Sequence, residues 1–168
     1  MASEWQLVAV SDISENLDSI RVPVKESERK KGNYPYYGAS GIVDFVDRYL
    51  FDGVYVLVAE DGENLKTRQT PIAFIAEGKF WVNNHAHVLT TYGEMPLGYF
   101  ESYFNLIDLA SYVTGTAQPK LPQAAMNKIA ASENNAIQTM TCPSRPQGKN
   151  IFSNRTALRV LPSVMCTS

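Results

Sequence analysis

Short apolar runs separated by turn residues fill the first half of the chain, and they predict a series of β-strands. The clearest run, Gly53–Ala59, is nearly continuous and so predicts a strand that is buried on both faces. By contrast, Tyr34–Gly41 contains a proline and two glycines and predicts a turn that carries three tyrosines. Strands are also predicted at residues 5–10, 42–46, 71–76, 79–82 and 87–91.

The second half of the chain predicts helices around a polar loop. After Pro96, a residue suited to the first turn of a helix, Leu97, Phe100, Phe104 and Ile107 recur at helical spacing. They predict one helix whose apolar face packs on the core. The polar loop at residues 114–121 is followed by a predicted short helix at 122–127 and a strand at 128–131. Residues 132–168 show no apolar periodicity.

Composition bounds the class of protein. A chain of 168 residues with 45% hydrophobic and 11% aromatic residues can bury the core of one domain, and its tyrosines and valines favour a strand-rich or mixed fold. No apolar run approaches the ~20 residues that span a bilayer, and the first residues lack a signal-peptide pattern. Cys142 and Cys166 form neither a metal-type spacing nor a disulfide framework, so we expect a cytoplasmic protein.

Charge is distributed unevenly along the chain. The formal net charge of −2 argues against a protein held on nucleic acid by bulk electrostatics. Residues 21–31, however, hold five basic side chains against two acidic ones, and residues 141–168 hold four basic side chains and no acidic one. A polyanion would therefore be met by local patches. The run Arg29, Lys30 and Lys31 also has a plainer interpretation, because such runs keep exposed loops soluble.

Both histidines, His85 and His87, lie in one short segment between apolar runs. If this segment is a strand, side chains two residues apart share a face, and Asn83 and Asn84 come just before them. Such a face can brace a loop, bind a polar partner or begin a metal site. We expect Asn84, His85 and His87 to brace the loop. A metal site needs three or four ligands, and neither an H-E-x-x-H helix nor a cysteine partner is present.

Four short motifs occur in order along the chain: Tyr34-Pro35-Tyr36-Tyr37-Gly38-Ala39-Ser40-Gly41, Val58-Ala59-Glu60-Asp61-Gly62, Trp81-Val82-Asn83-Asn84-His85-Ala86-His87-Val88-Leu89 and Thr114-Gly115-Thr116-Ala117-Gln118-Pro119-Lys120-Leu121. Together they resemble one target recognition domain of the type I restriction–modification specificity subunit, often called HsdS. Each motif alone is weakly specific, but four in order at fitting spacing are strongly so. The resemblance covers residues 5–131.

This resemblance implies a sequence-specific DNA-binding module that has no catalytic centre of its own. In the family, the full subunit carries two recognition domains, each followed by a long helix. The two helices pack as an antiparallel coiled coil and set the spacing between the two halves of a split DNA target. Methyltransferase subunits dock on this scaffold, and a motor-nuclease subunit joins them for cleavage.

The chain departs from the family pattern in two ways. It is long enough for only one recognition domain, and after Ile129 it lacks the proline-rich strand and the long heptad helix that the family pattern contains. We therefore expect residues 1–131 to form a target recognition domain. Residues 132–168 are expected to be a divergent, poorly ordered tail without the long spacer helix.

The resemblance and the residue chemistry together indicate which side chains contact DNA. Base edges are read by Arg or Lys on guanine and by Asn or Gln on adenine, whereas phosphates are met by Lys, Arg and hydroxyl groups. Three loops near residues 30–41, 64–70 and 114–120 offer such groups, although each could also be an ordinary exposed loop. Gly38 and Gly41 are expected to shape the first of them. The predicted contact residues are Arg29, Lys30, Lys31, Tyr36, Tyr37, Ser40, Lys66, Arg68, Gln69, Thr116, Gln118 and Lys120.

We therefore predict a mixed α/β (α+β) fold, with a twisted, mainly antiparallel sheet and peripheral helices, that reads one half of a bipartite DNA target. No catalytic residue, metal or cofactor is expected. The expected partners are double-stranded DNA, methyltransferase subunits, a motor-nuclease subunit, and a second recognition domain or a second copy of the chain. Two alternatives stay open: the recognition domain of a single-chain methyltransferase–nuclease, and a metal-dependent hydrolase that uses His85 and His87.

Overall fold

The computed structural model describes residues 5–93 and 95–134. The strands in this part of the chain are β1 (Trp5–Ala9), β2 (Ser14–Asn16), β3 (Lys31–Gly38), β4 (Gly41–Val46), β5 (Phe51–Ala59), β6 (Ala73–Val82), β7 (Ala86–Thr91) and β8 (Ala130–Asn134). The helices are α1 (Val10–Ile13), α2 (Asn64–Thr67), α3 (Leu97–Leu106) and α4 (Gln123–Met126). Two single 3-10 turns lie at Asp18–Ile20 and Glu26–Glu28.

Six strands form one sheet in the order β2-β7-β5-β6-β3-β4, and β1 pairs with β8 in a separate two-stranded ribbon. Every pairing is antiparallel except that between β3 and β6, which is parallel. The predicted mixed fold with a mainly antiparallel sheet and peripheral helices is confirmed.

The second half of the central strand β5, residues 56–59, is buried on both faces, as its apolar run predicts, whereas Val54 in the first half is exposed. Val56 and Val58 belong to the core on one side, where α3 contributes Phe100 and Phe104. Leu57, which points the other way because side chains alternate along a strand, belongs to a second core on the opposite side. The predicted amphipathic helix is thus confirmed as α3, and it closes one face of the sheet.

The opposite face is covered by residues 17–30, an irregular segment that we call the strap. Leu17 and Ile20 pack against the core on this face. Further along, the Trp81 indole N–H donates to the carbonyl oxygen of Val22 at 2.6 Å, and the hydroxyl of Tyr36 accepts from the Val24 N–H at 3.1 Å. Side chains therefore hold a segment that has few backbone hydrogen bonds of its own.

Two local predictions are wrong. Residues 34–38, expected in a turn, belong to β3, and only Ala39 and Ser40 connect β3 to β4. Residues 71–76 and 79–82, expected as two strands, form the single strand β6. The break expected at Gly78 is absent because Gly78 lies opposite Gly53, and both adopt positive φ angles within a continuous ladder.

The predicted tail starts inside an element of the fold. Ser132 to Asn134 extend β8, and Ser132 lies opposite Leu7 of β1. The expectation for the rest of the tail and for the missing spacer helix falls on residues 135–168, which lie outside the described residues. Within the described part of the chain no helix is long and apolar enough to cross a membrane.

Candidate nucleic-acid interface

A buried ionic cluster joins four segments behind the polar loops. His87 on β7 is fully buried. Its Nε2 lies 2.8 Å from the carbonyl oxygen of Leu121, which can only accept, so Nε2 carries the donated proton. Its Nδ1 lies 2.5 Å from the carboxylate of Asp18, and the other oxygen of Asp18 accepts from the Val88 N–H at 2.9 Å. The strap is thereby tied to β7.

Two further cations complete this cluster. Arg21 pairs with Asp18 at 3.2 Å and with Glu60 at 2.7 Å, and it also donates to the carbonyl oxygen of Ala86 at 2.6 Å. Lys120 reaches Glu60 from the opposite side at 3.0 Å. Because Glu60 directly follows β5 and Lys120 lies in the loop before α4, the cluster fixes where the loops leave the sheet.

The cluster keeps both carboxyl groups ionised. Burial alone would raise the pKa of Asp18, but the hydrogen bond and charge of His87, the Val88 N–H and Arg21 together lower it below its ordinary value. Burial would likewise raise the pKa of Glu60, and the hydrogen bonds from Arg21 and Lys120 lower it instead.

The structure gives no support to the alternative of a metal-dependent hydrolase that uses His85 and His87. His85 lies in an exposed turn before β7 begins and pairs with Asp61 at 2.7 Å, so the two histidines do not share the predicted strand face. Asp18, Glu60 and His87 do place donor atoms within 4.8 Å of one another. Protein partners already occupy those atoms, and Arg21 contributes a positive charge where a metal ion would have to sit.

The turn before β7 is braced by Asn83, which the sequence interpretation did not select. Its side-chain oxygen accepts from the His85 N–H at 2.8 Å, and its own N–H donates to the carbonyl oxygen of Tyr37 at 3.0 Å. Asn84, the predicted bracing residue, is exposed instead. A side chain added at Gly38 would lie 3.3 Å from the Asn83 amide nitrogen, so the absence of a side chain there allows the close approach.

The loop at residues 114–120 packs against α2. The ammonium group of Lys66 donates to the carbonyl oxygen of Thr116 at 3.0 Å. Thr114 and Lys120 pair through their backbones and close the loop, in which Thr116 and Gln118 are exposed. Gly115 is required here because its φ is +81° and a Cβ would lie 2.4 Å from the carbonyl oxygen of Gln118.

Arg68 is engaged within the domain. Its guanidinium donates to the carbonyl oxygens of Phe104 at 3.0 Å and Ile107 at 2.8 Å, and so satisfies the free end of α3. The neighbouring Gln69 is exposed. Of this predicted pair, only Gln69 offers a side chain that is not already used by the fold.

The predicted residues in β3 and just before it divide between the core and the surface. Tyr36 is 1% exposed and its hydroxyl is bonded to Val24, so it has no surface to offer to DNA and is corrected to a core residue. Tyr37 is half-buried beside Phe74 and Phe80. Arg29 stacks on the Tyr36 ring at 4.4 Å and pairs with Asp44.

Lys30 and Lys31 are exposed at the open end of the β3–β4 hairpin, and Ser40 is exposed at its turn. Gly41, the first residue of β4, has a φ of +118°, which explains a glycine at this turn. The hairpin therefore carries accessible polar groups at both of its ends.

The predicted contacts thus lie at two ends of the sheet. Lys30 is close to the start of β5, because Asp47 N–H donates to its carbonyl oxygen and β5 begins four residues later. Lys66 and Lys120 lie in segments next to the end of β5. A cation that the sequence interpretation missed, Lys79, lies 4.8 Å from the Tyr49 ring near the first of these ends.

Exposed polar loops on a mixed sheet, with the ionic groups of the buried cluster paired to one another, are the arrangement expected of a binding domain. The chain belongs to the type I restriction modification DNA specificity domain family, whose profile matches residues 2–131. This result confirms the resemblance and assigns the domain to a family of specificity subunits.

The similar proteins also come from type I restriction–modification systems. A Haemophilus influenzae protein named as a type I restriction enzyme specificity subunit, S.HindORF215P, is 34% identical over 126 residues, which are 75% of this chain and 32% of that protein. The crystal structure of a type I restriction–modification S subunit from M. genitalium has a similar fold, with a TM-score of 0.59 and 11% identity over 79% of this chain and 35% of that one.

A second solved structure, from a study of complex assembly and conformational transition of the type I restriction–modification system, gives a TM-score of 0.56 with 10% identity. It covers 79% of this chain and 34% of that one. At this identity both structural likenesses support the fold alone. The chain spans about a third of the length of the relatives that it matches.

Proposed function

We propose that this chain recognises a short DNA sequence and acts as the half-site reader of a type I restriction–modification specificity subunit, with no catalytic role. The observation that carries the proposal is the family match over residues 2–131.

The relatives are more than twice as long as this chain, so the larger assembly is part of the proposal. In it, the domain reads one half of a bipartite target in the cytoplasm, while a second recognition domain or a second copy of the chain reads the other half. Methyltransferase subunits and a motor-nuclease subunit are the proposed partners. A single-chain methyltransferase–nuclease would use the same recognition domain and differs only in what is fused to it.

The proposed contacts are the exposed members of the predicted set. Glutamine amides suit adenine, whereas lysines suit guanine or phosphate, and hydroxyl groups suit either. Arg29 and Arg68 serve by holding the hairpin and α3 in place. The proposed direct contacts are Lys30, Lys31, Ser40, Lys66, Gln69, Thr116, Gln118 and Lys120.

Affinity for DNA should be modest and strongly dependent on salt. The net charge of −2 gives no long-range attraction to a polyanion, so binding depends on a few local lysines. Clamping by the methyltransferase subunits would supply the remaining affinity.

The proposal is tested by selection of random duplexes with the full chain at low salt, followed by sequencing of the bound fraction. The expected result is one enriched short motif. Replacing both Lys30 and Lys31 by alanine should weaken binding to all duplexes and reduce the salt slope by about 2 without changing the motif. Lys128→Ala, an exposed lysine outside the proposed contacts, is the matched control. Absence of any enriched motif from a folded chain would refute the proposal.

A further inference from the structure

Strand β4 exposes three apolar side chains in six residues. Ile42, Val43 and Phe45 are 49%, 56% and 48% exposed. In the described sheet β4 is an edge strand, paired only with β3. Exposed apolar side chains that cluster on one element commonly mark a binding surface.

The backbone of the hairpin accounts for this exposure. Tyr36 lies opposite Asp44 and Tyr37 lies opposite Ile42, so Val43 is an extra residue in a β-bulge. The bulge leaves Ile42 and Val43 both exposed where a regular strand would alternate. Asp44 reaches Arg29 across the strand, beside the ring of Tyr36, and Phe45 projects away from it.

The charges of the hairpin favour a polyanion as the occupant. Asp44 is paired with Arg29 at 3.3 Å, and Asp47, just beyond β4, is paired with Arg48 at 3.5 Å. Among the residues that the structure describes, Lys30 and Lys31 form no ion pair. The hairpin thus presents apolar side chains, neutralised acids and two available cations.

We propose that the β3–β4 hairpin enters the DNA major groove and that Val43 and Phe45 contact thymine methyl groups, which makes them specificity-determining residues. This inference rests on the proposed function. The major groove accepts a two-stranded ribbon, and thymine is the base whose edge there carries a methyl group. The six residues of β4 span about 17 Å, close to five base pairs at ~3.4 Å each. Lys30 and Lys31 contact the flanking phosphates.

The test replaces thymine by uracil, which removes only the methyl group and leaves the hydrogen-bonding edge intact. The motif selected by the full wild-type chain is resynthesised with each thymine changed in turn, and binding is measured by fluorescence anisotropy. At one or two positions affinity should fall about fourfold for each buried methyl. Equal affinity for the thymine and uracil duplexes at every position, or a motif that contains no A·T pair, overturns the inference but leaves DNA recognition standing.

A variant links the methyl effect to the hairpin. Phe45→Ser should bind the thymine and uracil duplexes with nearly equal affinity at the position that the wild type discriminates. Leu106→Ser, in which an 84% exposed leucine at the end of α3 is changed, should keep full discrimination. If Phe45→Ser melts like the wild type and still discriminates at that position, Phe45 is excluded as a methyl contact, which overturns the inference for this residue. Absence of any selected motif would remove both this inference and the proposed function.

Discussion

At the scale of single residues, the domain depends on one fully enclosed histidine. His87 has oxygen atoms against both ring nitrogens, from Asp18 and from the carbonyl of Leu121. Both partners are held in turn by other residues: Asp18 pairs with Arg21, and the N–H of Leu121 donates to the carbonyl oxygen of Glu60. Removal of His87 would leave the buried carboxylate of Asp18 with Arg21 and the Val88 N–H as its remaining partners. Loss of one partner from a buried ion pair is strongly destabilising.

We expect His87→Ala to lower the free energy of unfolding by about 3 kcal/mol, because the carboxylate of Asp18 then stays buried without its imidazole partner. His85→Ala is the matched control, since His85 is exposed and its pair with Asp61 is solvent-screened. Its effect should stay below about 1 kcal/mol. Urea denaturation followed by circular dichroism measures both. Similar losses in the two variants would contradict the structural role of His87.

Acid should weaken the fold through the same cluster. The pKa of Asp18 and that of Glu60 lie below their ordinary values of 3.8 and 4.5. A carboxyl group whose pKa is lower in the folded state contributes stability above its unfolded pKa and loses it as pH falls through its folded pKa. Stability should therefore decline below about pH 4.5.

The measurement is the free energy of unfolding of wild type and Asp18→Asn between about pH 6 and pH 3. The variant should be less stable at pH 6, and its stability should decline less between the two ends of this range. A decline as steep as that of the wild type would show that Asp18 does not contribute to acid sensitivity.

The sequence singled out the histidines but gave no sign of their partners. Asp18, Arg21 and Glu60 come from segments that are separated along the chain, and no spacing rule relates them to His87. The one signal that the sequence offers is the position of Glu60 directly after an apolar strand, where the structure buries it. Asn83 was passed over for Asn84 because only the start of β7 decides which of the two faces inward.

At the scale of elements, opposed glycines decide the course of β6. Gly53 and Gly78 lie opposite each other with φ angles of +151° and +82°, and the ladder continues on both sides of them. Glycine is a reliable punctuator of isolated segments, so the sequence predicted two strands. The partner glycine on β5, which allows the same backbone bend, cannot be recognised before the register is known.

We expect Gly78→Ala to lower the free energy of unfolding by about 1–2 kcal/mol, since an L-residue at this φ is strained. No atom lies within 4 Å of the added Cβ, so backbone conformation alone causes the loss. Gly98→Ala in α3 is the matched control: it also has open space, and helix propensity should leave stability unchanged or raised. Thermal unfolding of both variants tests this prediction. A Gly78→Ala variant as stable as the wild type would contradict it.

Arg68 connects the segment after α2 to the end of α3. We expect Arg68→Ala to destabilise the domain by about 2 kcal/mol, because two helix carbonyls lose a charged donor. Gln69→Ala, one exposed residue further along, should leave stability unchanged. Urea titration gives both values. Equal stability of Arg68→Ala and the wild type would instead make Arg68 available for DNA contact.

At the scale of the whole molecule, alternating apolar runs and the ordered motifs predicted the fold class and the family. The distribution of contacts could not be predicted in the same way. Lys31 and Lys120 carry the same chemistry, but Lys31 begins β3 at the β4 edge of the sheet, whereas Lys120 pairs with Asp61 just after the end of β5.

The most direct measurement of the central claim is a domain graft. Residues 1–134, which include the whole of β8, replace one recognition domain of an intact type I specificity subunit. This subunit is expressed with its methyltransferase subunits, and host DNA is sequenced for methylated adenines. We predict a new half-site joined to the retained one, and the new half should match the motif selected by the chain alone. Methylation that is lost or unchanged, from a graft that folds and assembles, would contradict DNA recognition by this domain.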